Sequence, residues 1–168
     1  AVDVLFEFED RRMLAIDTAG VRKKRSIKDA IELFSYARAT ESIRRADVVV
    51  LLFDITLEIG QIEKKVAAYC VEHHKPVLLV GNKLDLAEEI RLDQWDAYIK
   101  QQLAGLSFAP VSFISALEGD NLESTLELLF QLKEQAREDA RRAREAGMRR
   151  GSSGSARAAR GANRGGVE

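Results

Sequence analysis

One stretch largely decides the fold: Lys75–Asp85, whose sequence is KPVLLVGNKLD. Its apolar residues are continuous rather than alternating with polar ones, as expected of a parallel strand that is covered on both faces. Similar runs occur in ADVVVLLFD (Ala46–Asp54) and PVSFISA (Pro110–Ala116). Stretches with helical spacing of apolar residues lie between them. This alternation predicts βαβ units and therefore an α/β fold with a mostly parallel sheet.

The N-terminal segment has a different pattern. Val2–Phe8 alternates apolar and polar residues, which is typical of a half-exposed strand. The short turn EDRR follows, and then a second strand, MLAID (Met13–Asp17). We expect these two strands to form an antiparallel hairpin. Helices are predicted over 29–46, 60–74, 91–106 and 121–146.

Composition narrows the class of protein. The chain has 168 residues, 46% of them hydrophobic and 32% charged, with a net charge of −1. These values are typical of one folded domain and argue against a partner bound through bulk charge. No apolar run approaches the roughly 20 residues that cross a bilayer, so no membrane association is expected. Cys70 has no partner for a disulfide, which favours a reducing cytoplasm. A monomer is expected.

Three polar segments follow strands, and ligands of open parallel sheets bind at the carboxyl ends of the strands. The first is Asp17, with Thr18, Ala19 and Gly20 after it. An Asp at this position can hold Mg²⁺ through a water, and the glycine N–H can approach a terminal phosphate. An ordinary turn after a strand gives the same pattern, so the residues alone leave both interpretations open.

The second segment is NKLD, Asn82–Asp85. The Asp85 carboxylate could accept hydrogen bonds from N1–H and the exocyclic amine of guanine, a donor pair that adenine lacks. Such a mismatch in a desolvated site discriminates by about 10⁴ or more. Asn82 could join neighbouring loops, and the aliphatic stem of Lys83 could cover the base. A polar loop after a strand is the alternative.

The third segment is ISAL, Ile114–Leu117, where small residues allow backbone N–H groups to approach a base carbonyl. Taken alone it says little. The three segments, however, follow one another in chain order, with helix–strand units between them. Their joint occurrence at this spacing indicates a nucleotide-binding GTPase.

The sequence resembles the translation-factor-related P-loop GTPases, and most closely the second GTPase domain of the Der/EngA ribosome-assembly family. The resemblance rests on DTAGVRKK, FSYARATESIRRADVVVLLFD, NKLD and FISAL, and it covers residues 1–135. It implies a P-loop GTPase (Ras-like) fold, with a mostly parallel sheet and one antiparallel edge strand. A helix extension over 136–146 and a disordered Arg/Gly-rich tail over 147–168 are expected to follow. Leu84 departs from the family's more common Asn-Lys-Trp-Asp.

The resemblance also implies a function. The family binds GTP and hydrolyses it slowly in maturation of the large ribosomal subunit, where ribosomal RNA is a partner. The implied cofactors are GTP or GDP and Mg²⁺, held by Asp17 through a water, with K⁺ as a further candidate. The implied nucleotide-binding residues are Asp17, Thr18, Ala19, Gly20, Val21, Asn82, Lys83, Leu84, Asp85, Ser115, Ala116 and Leu117.

Two features of the switch segment bear on chemistry. Ras-like enzymes place a water-orienting Gln directly after the glycine, but the residue here is Val21. Valine cannot orient a water, so the catalytic group is unassigned. The basic run Arg22–Arg25 could contact RNA phosphates, or it is a solvated loop.

The sequence contains no Gly-x-x-x-x-Gly-Lys-Ser/Thr, the loop that cradles phosphates. The resemblance places this loop and the first strand of the fold before residue 1, which implies an N-terminally truncated fragment. That strand would lie between MLAID and VVVLLFD, and its loss leaves two strand edges unpaired.

Two alternatives stay open. The chain could be a nucleotide-independent module that binds RNA or the ribosome on a degenerate GTPase fold. It could also be another GTPase of the translation-factor class, Era-like or of the tRNA-modification type. The upstream coding sequence separates the first alternative from the enzyme, because an in-frame P-loop would favour the enzyme.

A first prediction concerns the isolated chain. Unpaired backbone groups kept from water cost about 1–3 kcal/mol each, against a total stability of about 5–15 kcal/mol. We therefore expect this chain alone to be poorly folded, to bind GTP very weakly or not at all, and to be inactive. Isothermal titration with GTPγS measures this directly, and a micromolar affinity would contradict it.

Overall fold

The computed structural model describes residues 3–16, 30–86 and 91–161. The order of elements is that of a chain alternating between strands and helices after an initial hairpin. The elements are β1 (Asp3–Phe8), β2 (Arg11–Ile16), α1 (Ala30–Arg45), β3 (Val49–Asp54), α2 (Gln61–Glu72), β4 (Val77–Asn82), α3 (Leu92–Gln102), β5 (Val111–Ile114) and α4 (Leu122–Gly161), with short 3₁₀ turns at Leu84–Leu86 and Ala104–Leu106.

Strands β1 and β2 form the predicted antiparallel hairpin, paired from Asp3 with Ile16 to Phe8 with Arg11. The two turn residues, Glu9 and Asp10, have φ values of 47° and 61°. Positive φ at both central residues is the pattern of a type I′ turn, whose twist matches that of the flanking strands. The hairpin is therefore confirmed.

Strands β3, β4 and β5 form a parallel sheet in that order. Val49 is paired with Val77, and Leu79 with Val111, so the three strands end at the same edge. Helix α2 connects β3 to β4, and helix α3 lies between β4 and β5. The predicted βαβ units are confirmed.

The strands form two separate sheets rather than one continuous sheet. Within the part of the chain that the structure describes, β2 pairs only with β1, and β3 pairs only with β4. The division falls between MLAID and VVVLLFD, where the resemblance places an additional strand. The α/β class, with a parallel sheet and an antiparallel strand pair, agrees with expectation.

Strand β4 separates two apolar cores. One face packs beneath helices α1, α2 and α3, with Leu79, Cys70 and Ile99 fully buried. The opposite face, Leu78 and Val80 with Ile114, packs against leucines of α4. Burial of this kind is the main favourable term in folding.

The expectation that β3 is covered on both faces is wrong. Its residues alternate between buried and exposed, and Val50 and Leu52 are 45% and 57% exposed. The physical reason is that α4 covers β4 and β5, and the described residues leave the same face of β3 open. A continuous apolar run therefore predicts a strand here, but it does not predict that both faces of the strand are buried.

The hairpin is attached to the remainder of the fold through helix α4. The Arg11 guanidinium pairs with Glu127 at 2.5 Å and lies 4.0 Å from the centroid of the Phe130 ring. Phe8 stacks on the same ring, with a centroid separation of 6.3 Å. A guanidinium on an aromatic face adds cation–π attraction to the ion pair.

Helix α4 continues to Gly161 and so passes through the expected helix extension over 136–146. It also includes 147–161, where the sequence predicts a disordered tail, and 162–168 lie outside the described residues. Arg and Ala are strong helix formers, and pairs such as Arg142 with Glu138 support successive turns. The division into domains stays a prediction.

Gly81 allows a second prediction, because β4 passes closely between its neighbours. A Cβ at this position would lie 2.6 Å from Phe113 Cδ1 and 2.7 Å from Ile55 Cγ2. We expect Gly81→Ala to lower the free energy of unfolding by about 1–3 kcal/mol through overpacking, measured by urea denaturation.

The matched control is Gly105→Ala, where the nearest atom is Val71 Cγ2 at 3.3 Å, on a side chain that is partly exposed and can move. Its effect should be smaller. Equal losses in the two variants would contradict the role of Gly81 in strand packing.

Candidate functional site

The candidate site lies where β4 and β5 end. Asn82, the last residue of β4, is paired with Ile114, the last residue of β5. The loops that follow therefore start side by side: Lys83 and the Leu84–Leu86 turn after β4, and Ser115 after β5. Two segments that are distant in the sequence are brought together by the register of two parallel strands.

The Asp85 carboxylate is held by Ser115. The Ser115 hydroxyl is fully buried and donates a hydrogen bond of 2.5 Å to Asp85 Oδ1. Ser115 Oγ in turn accepts from the Glu118 N–H at 3.1 Å. Among the described residues, none donates a hydrogen bond to Asp85 Oδ2. The carboxylate is thus fixed at one oxygen and can accept from a ligand at the other.

Asn82 connects the two loops directly. Its Oδ1 accepts a hydrogen bond from the Ala116 N–H at 3.0 Å. Its backbone carbonyl accepts a hydrogen bond from the Ile55 N–H at 3.1 Å, and this bond connects Asn82 to the loop after β3. One side chain and its carbonyl therefore join the ends of three strands, the function that the sequence suggests for this residue.

Lys83 has a left-handed backbone, with φ of 75°. For a residue other than glycine this conformation costs about 1 kcal/mol or more. The Leu86 N–H donates to the Lys83 carbonyl at 2.9 Å and closes the turn that carries Asp85. The strained residue thus reverses the chain so that Asp85 meets Ser115.

Asp54, at the end of β3, is a residue that sequence reasoning missed. It forms an ion pair of 2.8 Å with Lys83 Nζ, and its side chain is 9% exposed. Burial alone would raise the pKa of Asp54, but hydrogen bonds from Lys83 and Thr56 outweigh burial and lower the pKa from 3.8 to about 2. A signal was present in the sequence, because Asp54 ends an apolar run of residues as Asp17 does.

The loop after β5 is braced by a second polar network that the sequence analysis did not identify. Asn121 Nδ2 donates to the Phe113 carbonyl at 2.9 Å, and the buried Ser112 and Thr125 hydroxyls are 2.7 Å apart. The Gly119 N–H donates to the Ser115 carbonyl at 2.9 Å, with φ of 86° at Gly119. These bonds tie the loop to β5 and α4 and fix Ser115.

The structure therefore brings together one half of the predicted site. Asn82, Lys83, Asp85, Ser115 and Ala116 meet at the sheet edge. Leu84 is half-buried in the first loop, and Leu117 is 80% exposed in the second. The other predicted positions, Asp17, Thr18, Ala19, Gly20 and Val21, lie outside the described residues. Whether any of these residues binds a nucleotide stays a prediction.

The described residues contain neither a cluster of metal-ligating side chains nor a membrane-spanning helix. In 3–16, 30–86 and 91–161, no three His, Cys, Asp or Glu side chains are grouped as a metal site would require. Within the same ranges, no helix has the length and apolar character needed to span a membrane.

Comparison with known proteins identifies the class. Residues 3–135 match the family model described as the elongation factor Tu GTP binding domain. The match covers most of the chain, and the chain belongs to this family of GTP-binding domains. The fold also resembles Era solved with MgGDPNP and part of 16S ribosomal RNA, with a TM-score of 0.60, 20% identity and coverage of 76% of this chain and 42% of Era. The structure of an SsGBP variant has a TM-score of 0.62 and 23% identity, and the match covers 80% of this chain and 47% of SsGBP.

Particular relatives within the class are the GTPases named Der. The protein from Rhodopirellula baltica is 39% identical over 137 residues, covering 81% of this chain and 30% of the relative. The protein from Fusobacterium nucleatum is 34% identical over 138 residues, covering 80% and 31%. The chain thus spans about a third of these relatives. The resemblance to the Der/EngA family is confirmed, and its assignment to the second GTPase domain of a truncated protein stays a prediction.

A third prediction follows from Asp54. A carboxyl whose pKa is lower in the folded state stabilises the fold above its unfolded pKa, and this stability is lost as pH falls through the folded value. Between about pH 4 and pH 2, we expect the free energy of unfolding to fall by on the order of 1–2 kcal/mol through this group, after allowance for solvent around Lys83. Urea denaturation across this pH range measures the loss.

Asp54→Asn cannot titrate, so its stability should change less with pH than that of the parent over the same interval. Identical pH profiles for the parent and this variant would show that the ion pair with Lys83 does not lower the pKa of Asp54.

Proposed function

We propose that this chain carries the guanine-binding part of a GTPase that acts in assembly of the large ribosomal subunit. The observation that supports the proposal most directly is the Asp85 carboxylate, tied through one oxygen to Ser115 at the shared end of β4 and β5. A half-buried carboxylate fixed in this way is a selective acceptor for a ligand with two adjacent donors.

Guanine presents that donor pair through N1–H and its exocyclic amine, whereas adenine presents an acceptor at N1. Adenine would therefore leave Asp85 partly desolvated and unpaired, which is the costly case. The Ala116 N–H already donates to Asn82, so the backbone around it is fixed. The stem of Lys83 would cover one face of the base, while Leu84 and Leu117 would border it.

The phosphate part of the site is proposed from the sequence and the family. Asp17, Thr18, Ala19, Gly20 and Val21 would lie near the γ-phosphate, with Asp17 holding Mg²⁺ through a water. The carboxylate of Asp17 and the hydroxyl of Thr18 are oxygen ligands of the kind that Mg²⁺ prefers. When bound, Mg²⁺ would neutralise charge on the phosphates. The group that orients water stays unassigned, because the Val21 side chain has no polar atom, and K⁺ is proposed as a cofactor without an assigned site.

The role in ribosome assembly rests on the similarity to the Der GTPases. Ribosomal RNA is the proposed partner, and the likeness of this fold to part of Era, which is solved with a piece of 16S ribosomal RNA, supports that proposal. We propose a cytoplasmic monomer, with Cys70 as a buried free thiol. Co-sedimentation of the full chain with purified large subunits tests the partner, and failure to co-sediment at low salt would overturn that part.

A fourth prediction tests base recognition. In saturation-transfer NMR at millimolar concentration, the full chain should bind GMP in preference to AMP. Asp85→Asn should weaken GMP binding about 10- to 100-fold, because the negative charge is lost and the single carbonyl oxygen of Asn cannot accept from both N1–H and the exocyclic amine. It should improve binding of XMP, since the Asn amide can donate to the 2-carbonyl of xanthine.

The matched control is Glu118→Gln, which neutralises an exposed carboxylate in the neighbouring loop and should leave GMP binding unchanged. Equal binding of GMP and AMP by the parent chain would overturn the proposed function.

A further inference from the structure

Asp54 and Thr56 lie beside the base site but belong to neither of the motifs that define it. We infer that Asp54, oriented by Thr56, is a positioning residue that fixes the Lys83 side chain for contact with guanine. The inference rests on the proposed function and goes beyond it by assigning a role to the end of β3.

The ion pair between Lys83 and Asp54 is asymmetric in its exposure. Lys83 Nζ lies 2.8 Å from Asp54 Oδ2, and the two side chains are 46% and 9% exposed, respectively. A carboxylate buried to this degree requires a paired cation or hydrogen bonds. The buried partner is therefore the fixed point of the pair, and the lysine is the group whose position it determines.

Thr56 fixes the orientation of that carboxylate. Its N–H and its hydroxyl donate to Asp54 Oδ1 at 3.0 Å and 2.6 Å. Because Thr56 binds Oδ1, the other oxygen, Oδ2, is directed to the ammonium group of Lys83. The N–H and the hydroxyl of Thr56 thus fix the orientation of the Asp54 carboxylate independently of Lys83.

Lys83 is consequently held at both ends of its side chain. Its backbone is fixed by the turn that closes on Leu86, and its Nζ is fixed at the end of β3. Asp54 is paired in register with Asn82, so the stem extends from the end of β4 towards the end of β3. Asp85 is directed the other way, to Ser115 after β5. A base bound by Asp85 would meet a stem that is already ordered.

A side chain that is ordered before the ligand binds strengthens binding, because its conformational entropy is not lost when the complex forms. We expect Asp54→Asn to weaken GMP binding by the full chain about threefold to tenfold, the range for immobilising one long side chain. Thr56→Val keeps the charges and removes one hydrogen bond, and should act in the same direction with smaller effect.

The matched control is Asp96→Asn. Asp96 forms an ion pair of the same length, 2.8 Å, with Lys100 on helix α3, where the two side chains are 37% and 40% exposed. Its loss also changes the net charge by one unit, so an unchanged GMP affinity would exclude a general charge effect. The backbone NMR spectrum of each variant establishes whether the fold is retained.

A double-mutant cycle separates positioning from a structural role. If Asp54 acts through Lys83, Asp54→Asn should cause no further loss of GMP binding in a Lys83→Ala background. Equal losses in both backgrounds would overturn the inference, as would unchanged GMP binding in folded Asp54→Asn. If Asp54→Asn does not fold, the same cycle is run with Thr56→Val and Lys83→Ala, and equal losses of GMP binding in both backgrounds would again overturn the inference. Absence of GMP binding by the parent chain would overturn the proposed function, and this inference with it.

Discussion

The structure depends on the burial of β4 between two strands and two layers of helices. Leu78 and Leu79 have no exposed surface, and the alternate faces of the strand belong to different cores. A one-residue shift would exchange those faces, so the apolar residues specify the register. That register decides which residues stand at the carboxyl edge. Apolar burial thus brings the two loops to one edge of the sheet, and their hydrogen bonds then fix the side chains within the site.

Much of the fold was predictable because its signals are local or periodic. The hairpin, the three parallel strands and the helices between them follow from alternation and from continuous apolar runs. The exposure of Val50 and Leu52 could not be inferred, because an apolar run does not specify which neighbouring element covers each face. Helix α4 continues to Gly161, and the division of 136–168 into a helix extension and a tail stays a prediction.

The candidate site was predictable to a similar degree, for a different reason. Asn82, Asp85 and Ser115 were identified because each follows a strand within a short motif, and the parallel topology then required them to meet. Asp54 was missed because its role depends on Lys83, a side chain in the loop after another strand. Pairing of that kind depends on rotamers and on register, and neither is visible in the order of residues. Asn121 and Thr125 were missed for the same reason.

Ionic strength should weaken the ion pairs on the outer part of helix α4 more than the ion pair at the carboxyl edge of the sheet. The ion pairs along the outer part of α4, such as Arg142 with Glu138, have both partners well exposed. Mobile ions weaken the attraction between exposed charges, with a screening length of roughly 8 Å at physiological salt, so a surface pair stabilises less at high salt. Asp54 is largely shielded from solvent, so added salt has far less access to its pair with Lys83. Salt concentration therefore changes the electrostatics of the long helix while leaving the edge of the sheet nearly unaffected.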